Sequence, residues 1–131
     1  MGRGAGGAML SLPAAVRIYF FAEAADMRKG FDGLVALVRA AGLSEYSGHL
    51  FAFVSRRADR AKILTWERGG FVLWYKRLER GRFRRPPIAP EATRVRLEAD
   101  QLTLLLEGID LQSVRRPKRW APQGIDTGEE V

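Results

Sequence analysis

Between Lys76 and Arg85 the chain carries Lys76, Arg77, Arg80, Arg82, Arg84 and Arg85, interleaved with Gly81 and Phe83. Guanidinium groups fork onto phosphate oxygens, a glycine lets the backbone follow a sugar–phosphate chain, and an aromatic ring stacks on a base. A second cluster, Arg56, Arg57 and Arg60, surrounds Asp59. These ten residues, Phe83 among them, are the candidate nucleic-acid contacts. Trp74 and Tyr75 lie within a predicted strand and read as core, whereas Phe83 falls outside it and is expected to be open for stacking. Arg28-Lys29-Gly30 stands at an expected helix start, where free N–H groups and the helix dipole attract an anion. It is the second candidate anion site.

Catalysis finds less support. His49 is the sole histidine and cysteine is absent, so a nucleophilic triad would have to be built on one residue with no partner to orient it. His49 reads instead as a structural histidine hydrogen-bonded at a strand end. A two-metal nuclease core needs carboxylates converging from separate elements. Asp26 and Asp32 are better explained as favourable charges at a helix start, and Asp59 as a local ion-pair partner. No phosphate loop of the Walker type occurs. The expectation is a protein with no catalytic residues, metal or cofactor.

The distribution of charge supports a polyanionic partner. The chain of 131 residues has 22 Lys+Arg against 15 Asp+Glu, a net charge of +7. Residues 48–90 hold 11 basic and 3 acidic side chains, and 91–111 hold 2 and 5, so the surplus sits in one block. Such asymmetry suggests one surface facing nucleic acid. The longest uncharged stretch, Gly4–Val16, has 13 residues and contains Gly and Pro, short of the roughly 20 that span a bilayer. The reading is a cytoplasmic protein with no membrane partner.

Positioning these residues requires a folded scaffold. Glycine-rich residues 1–10 are expected to form a disordered leader, with Met9 an alternative start, and 112–131 a flexible tail anchored at most by Trp120. One domain should occupy 11–111. Val16 to Ala22 is β-branched and aromatic, predicting a first strand. Phe31, Leu34, Val35, Val38 and Ala41 recur at helical spacing, predicting a helix over 28–41 stopped by Gly42. Gly30 and Gly33 would let that helix sit close on a sheet. Three short strands follow at 49–54, 61–66 and 71–77, joined by an Arg-bearing tip and by Glu-Arg-Gly-Gly, whose glycines suit a tight hairpin. In the first of them Phe51 and Phe53 face one side, and Leu50, Ala52 and Val54 the other. Both faces are apolar, which marks a central strand. Pro86, Pro87 and Pro90 make 80–90 a loop; 94–97 suits an edge strand. Leu102, Leu105, Leu106 and Ile109 place a second helix over 99–107. The fold class is α+β: a mostly antiparallel meander of four to five strands, one helix on a face and a short C-terminal helix.

Four strings in order carry a resemblance: DMRKGFDGL (Asp26 to Leu34), SGHLFAF (Ser47 to Phe53), LWYKRLERGRF (Leu73 to Phe83) and LLLEGID (Leu104 to Asp110). Together they resemble the TnpB, or Orf2-like, accessory proteins of bacterial insertion sequences of family sixty-six, across about Met9 to Leu111. The chain departs from the family pattern at Ala58, where a Gly precedes the Asp, near Arg85, where a large apolar residue stands before the Pro, and at Leu111, where a Trp is frequent. The resemblance implies a three-gene element in which a larger protein carries the catalytic acids. This chain would be a non-catalytic accessory protein of DNA transposition, binding phosphates through its Arg-rich loops; the alternative is an adaptor for the transposase that does not touch DNA. Expected partners are DNA, the transposase, the other accessory protein of the element and a second copy of the chain.

Overall fold

A computed structural model describes residues 15–108. In chain order the elements are β1 (Ile18–Phe21), α1 (Phe31–Ala40), β2 (Leu50–Val54), β3 (Arg60–Glu67), β4 (Gly70–Arg77), β5 (Arg94–Leu97) and α2 (Ala99–Glu107). They form a five-stranded sheet in the order β4-β3-β2-β1-β5. The meander is β2-β3-β4. Beside it β1 pairs parallel with β2, as an intervening helix permits, and β5 crosses to pair antiparallel with the far side of β1.

All five residues of central β2 are buried, and their alternation divides the core. Phe51 and Phe53 join Leu64 of β3 against Leu34, Val35 and Val38 of α1. Leu50, Ala52 and Val54 face the opposite layer, where Leu102, Leu105 and Leu106 of α2 pack. The helices therefore cover opposite faces. Each fully buried Leu contributes roughly 1.5–3 kcal/mol relative to exposure, which is what ties these short helices to the sheet.

Helix α1 begins at Phe31, three residues later than the sequence suggests, because Asp26 is engaged elsewhere. Its carboxylate accepts from the Arg28 backbone N–H at 2.9 Å and pairs with the Arg28 guanidinium at 2.7 Å, closing a local turn instead of capping the helix. Gly33 makes room for the Lys29 side chain, 2.9 Å from where a Cβ would stand, and not for the sheet. Helix α2 is closed at both ends. Glu98 and Gln101 form a reciprocal capping box, and Gly108 takes the left-handed conformation at φ 68°.

The β3–β4 link is a two-residue turn with Arg68 at φ 51° and Gly69 at φ 82°, both signs that a tight hairpin requires. The expected leader over 1–10, the tail over 112–131, Met9, Ile109, Leu111 and Trp120 all lie outside the described residues. No helix among the described residues is long and apolar enough to cross a membrane.

Candidate nucleic-acid interface

Strand direction decides where the cations go. Because β1 and β2 are parallel, and β3 and β4 each reverse direction, the carboxyl ends of β1, β2 and β4 lie at one end of the sheet. The segments leaving those three ends carry Arg28 and Lys29, then Arg56 and Arg57, then Arg80, Arg82, Arg84 and Arg85. Arg60 and Arg77 are the strand residues at the same end.

Residues 55–60 form the hub of this end. The turn is shaped by Ser55, whose Oγ accepts from the Arg60 backbone N–H at 3.2 Å and donates to Asp59 at 3.2 Å. Ala25 N–H donates to Val54 O at 3.0 Å, fixing the β1–α1 loop on one side. On the other, Phe83 N–H donates to Ala58 O at 2.6 Å, and the Arg85 guanidinium to Ser55 O at 2.5 Å. Two open clefts result. One, of about 420 Å³, lies between the Asp26–Arg28 turn and the Arg56, Arg57 and Arg60 side chains. The second, about 340 Å³, lies between Ala58 and Arg82, Arg84 and Arg85.

The candidate residues do not all present themselves alike. Arg56, Arg57 and Arg82 are exposed and make no ion pair with a described residue. Arg80 and Arg84 are exposed as well. Arg28 is 91% exposed, though its guanidinium rests on Asp26, which holds that carboxyl far below the usual carboxylate range and raises the Arg28 pKa in turn. Arg77 is paired with Glu79 at 3.0 Å.

Three residues are used internally. Phe83, expected to be open for stacking, is 2% exposed and belongs to the core beneath α2, so the loop folds inward over the sheet face that α2 leaves uncovered. It is not a base platform. The Lys76 ammonium donates to Leu106 O in the last turn of α2 at 2.9 Å, where the helix dipole favours a cation. Arg85 is half-buried and anchors its loop.

One positioning residue escaped the sequence reading. Lys62 in β3 is 7% exposed, and its ammonium donates to Met27 O at 2.9 Å and Lys29 O at 2.8 Å while lying 4.8 Å from the centre of the Tyr75 ring. It clamps the Arg28–Lys29 turn onto the sheet from below. A lysine flanked by apolar residues at period 2 is the available signal, easily taken for a solvent-facing position. His49 is structural as expected: its Nδ1 accepts from the Arg17 N–H at 3.0 Å. Among the described residues no three His, Cys, Asp or Glu side chains are grouped to hold a metal ion.

Comparison with known proteins adds the missing context. The family described as IS66 Orf2 like protein matches residues 16–116, most of the chain. The chain belongs to that family. Two relatives come from Sinorhizobium fredii: uncharacterized protein y4jC, 36% identical over 102 residues (77% of this chain, 86% of the relative), and uncharacterized protein y4hO, 34% identical over 112 residues (84% and 93%). No solved structure matches the chain. As an IS66 Orf2-like protein it is an accessory component of transposition and not the transposase. Two of the family strings, Asp26 to Leu34 and Leu73 to Phe83, run through the cationic end. Ala58, where the resemblance leads one to expect Gly, sits at φ 62°, in the left-handed region that favours glycine.

Proposed function

We propose that this IS66 Orf2-like chain assists transposition by gripping DNA phosphates along the cationic end of its sheet, largely without reading bases. The observation that supports this most is the convergence of two other arginine-bearing segments, 26–29 and 80–85, on the 55–60 turn, from positions far apart in sequence. Guanidinium groups at such a rim neutralise phosphates and release condensed counterions, which gives affinity without sequence preference. The clefts flanking residue 58 are open, suiting a backbone laid across them more than an enclosed small molecule. The chain makes and breaks no bond in this reading; it holds DNA for a transposase that does.

Pure protein titrated with duplex DNA of arbitrary sequence tests the reading. Binding should be tight at about 50 mM salt and weaker by orders of magnitude at about 200 mM. Absence of binding at low salt, together with a transposase complex that survives nuclease treatment, would establish the adaptor role instead.

A further inference from the structure

Strand β4 forms one edge of the sheet, and its backbone polarity follows from the ladder. Leu78 N–H donates to Asp59 O at 2.8 Å, so in this register Lys76, Trp74 and Val72 turn their N–H and C=O groups toward β3. Alternation then aims those of Phe71, Leu73, Tyr75 and Arg77 outward. No described strand pairs with that side. The edge also lacks the usual protection: eight residues with no Pro and no charge before Lys76. Val72 is 46% and Tyr75 50% exposed, one on each face. The opposite edge, β5, has four residues and carries Arg94 and Arg96. Among the described residues the β4 edge is therefore the one better suited to pairing.

We propose that this edge pairs antiparallel with the same edge of a second copy, across a two-fold axis at Leu73. An axis perpendicular to the sheet keeps faces matched, so only residues on the same face meet. Leu73 then faces its own copy, Phe71 faces Tyr75, Val72 faces Trp74 and Gly70 faces Lys76. The strand is self-complementary in this register. Each half-exposed side chain, Tyr75 and Val72, is covered by a large ring of the other copy, and the cations at the strand end meet glycine instead of one another. The product is a ten-stranded sheet with its two cationic ends pointing in opposite directions. That such a dimer would hold two DNA segments rests on the DNA-binding reading above; the association itself does not.

Sedimentation equilibrium of the full chain without DNA tests this, with a dimer expected at micromolar concentration. Val72→Lys, at an exposed position, brings ammonium groups of the two copies and Lys76 diagonally together and should weaken the dimer at least tenfold, while the thermal melt taken at a dilution where both proteins are monomeric stays unchanged. Because the chain has no cysteine, Leu73→Cys reads the register. Facing Cα atoms in a hydrogen-bonded pair lie ~5.5 Å apart, within disulfide reach, so oxidation should give a covalent dimer. Leu104→Cys, 55% exposed on α2, should not. A monomer at all concentrations, or a dimer indifferent to Val72→Lys, would overturn the proposal. Crosslinking at residue 73 no faster than at 104 would overturn the register. If Leu73→Cys fails to fold, the Val72→Lys result decides alone.

Discussion

Arg60 and Arg77 stand directly opposite each other in the β3–β4 ladder. The flanking pairs are hydrogen-bonded, so this is the close kind of pair, with Cα atoms ~4.5 Å apart. Opposed like charges destabilise a ladder, and only Arg77 has a carboxylate partner, Glu79. The sheet keeps this repulsive pair at the end where the arginine-bearing segments gather. Arg60→Thr should therefore raise unfolding free energy by about 0.5 kcal/mol and lower DNA affinity. Urea denaturation and fluorescence anisotropy on the same variant check both; loss of stability would contradict the argument.

Phe83 separates packing from binding. Being buried with Leu102 and Leu105, its truncation to Ala should cost about 3–5 kcal/mol. Affinity for single-stranded DNA, measured on the fraction that remains folded, should stay as it was. A stable Phe83→Ala protein with selectively weakened single-strand binding would restore the stacking role.

Ala58 holds a left-handed turn conformation that costs an L-residue roughly 1–2 kcal/mol. A β-branched side chain suffers more there, so Ala58→Val should lower the melting temperature markedly, whereas Ala58→Gly should leave it level or raise it. A drop in Ala58→Gly as large as that in Ala58→Val would contradict the backbone argument.

His49 gives a pH dependence of stability. Burial first, then the charges of Arg17 and Arg96, hold its pKa below the ordinary histidine value. The unfolded chain thus takes up a proton before the folded one, and the stability of the neutral form is complete above about pH 6.5 and lost as pH falls toward the folded value. Protonation also removes the Nδ1 acceptor for Arg17. His49→Gln should flatten the melting temperature between about pH 7 and 5, relative to wild type. An identical slope in both proteins would dismiss the histidine as its source.

What could be read from the sequence follows the local rules. The period-2 split of β2, the edge position of β5 and the limits of α2 are properties of neighbouring residues. The late start of α1 was hidden because Asp26 had two available partners, its own turn and the helix, and sequence does not weigh them. The parallel β1–β2 pair and the crossing to β5 depend on long-range register, which no short window contains. Phe83 lies outside every strand yet inside the core, and Lys62 depends on carbonyls supplied 33 and 35 residues away, so neither placement is a property of neighbouring residues. The rim itself was legible as a charge excess in 48–90; that Arg28 joins it was a matter of topology.

The most direct test is the slope of log affinity against log salt for duplex DNA, compared between wild type and the triple variant Arg56→Gln, Arg57→Gln, Arg82→Gln. These three exposed arginines have no ion pair with a described residue to lose, so folding should be unaffected. Each phosphate contact removed should reduce the slope by about 0.9, and the variant should be shallower by about 2 to 3. A folded triple variant with the wild-type slope would contradict the assignment of this end of the sheet to DNA.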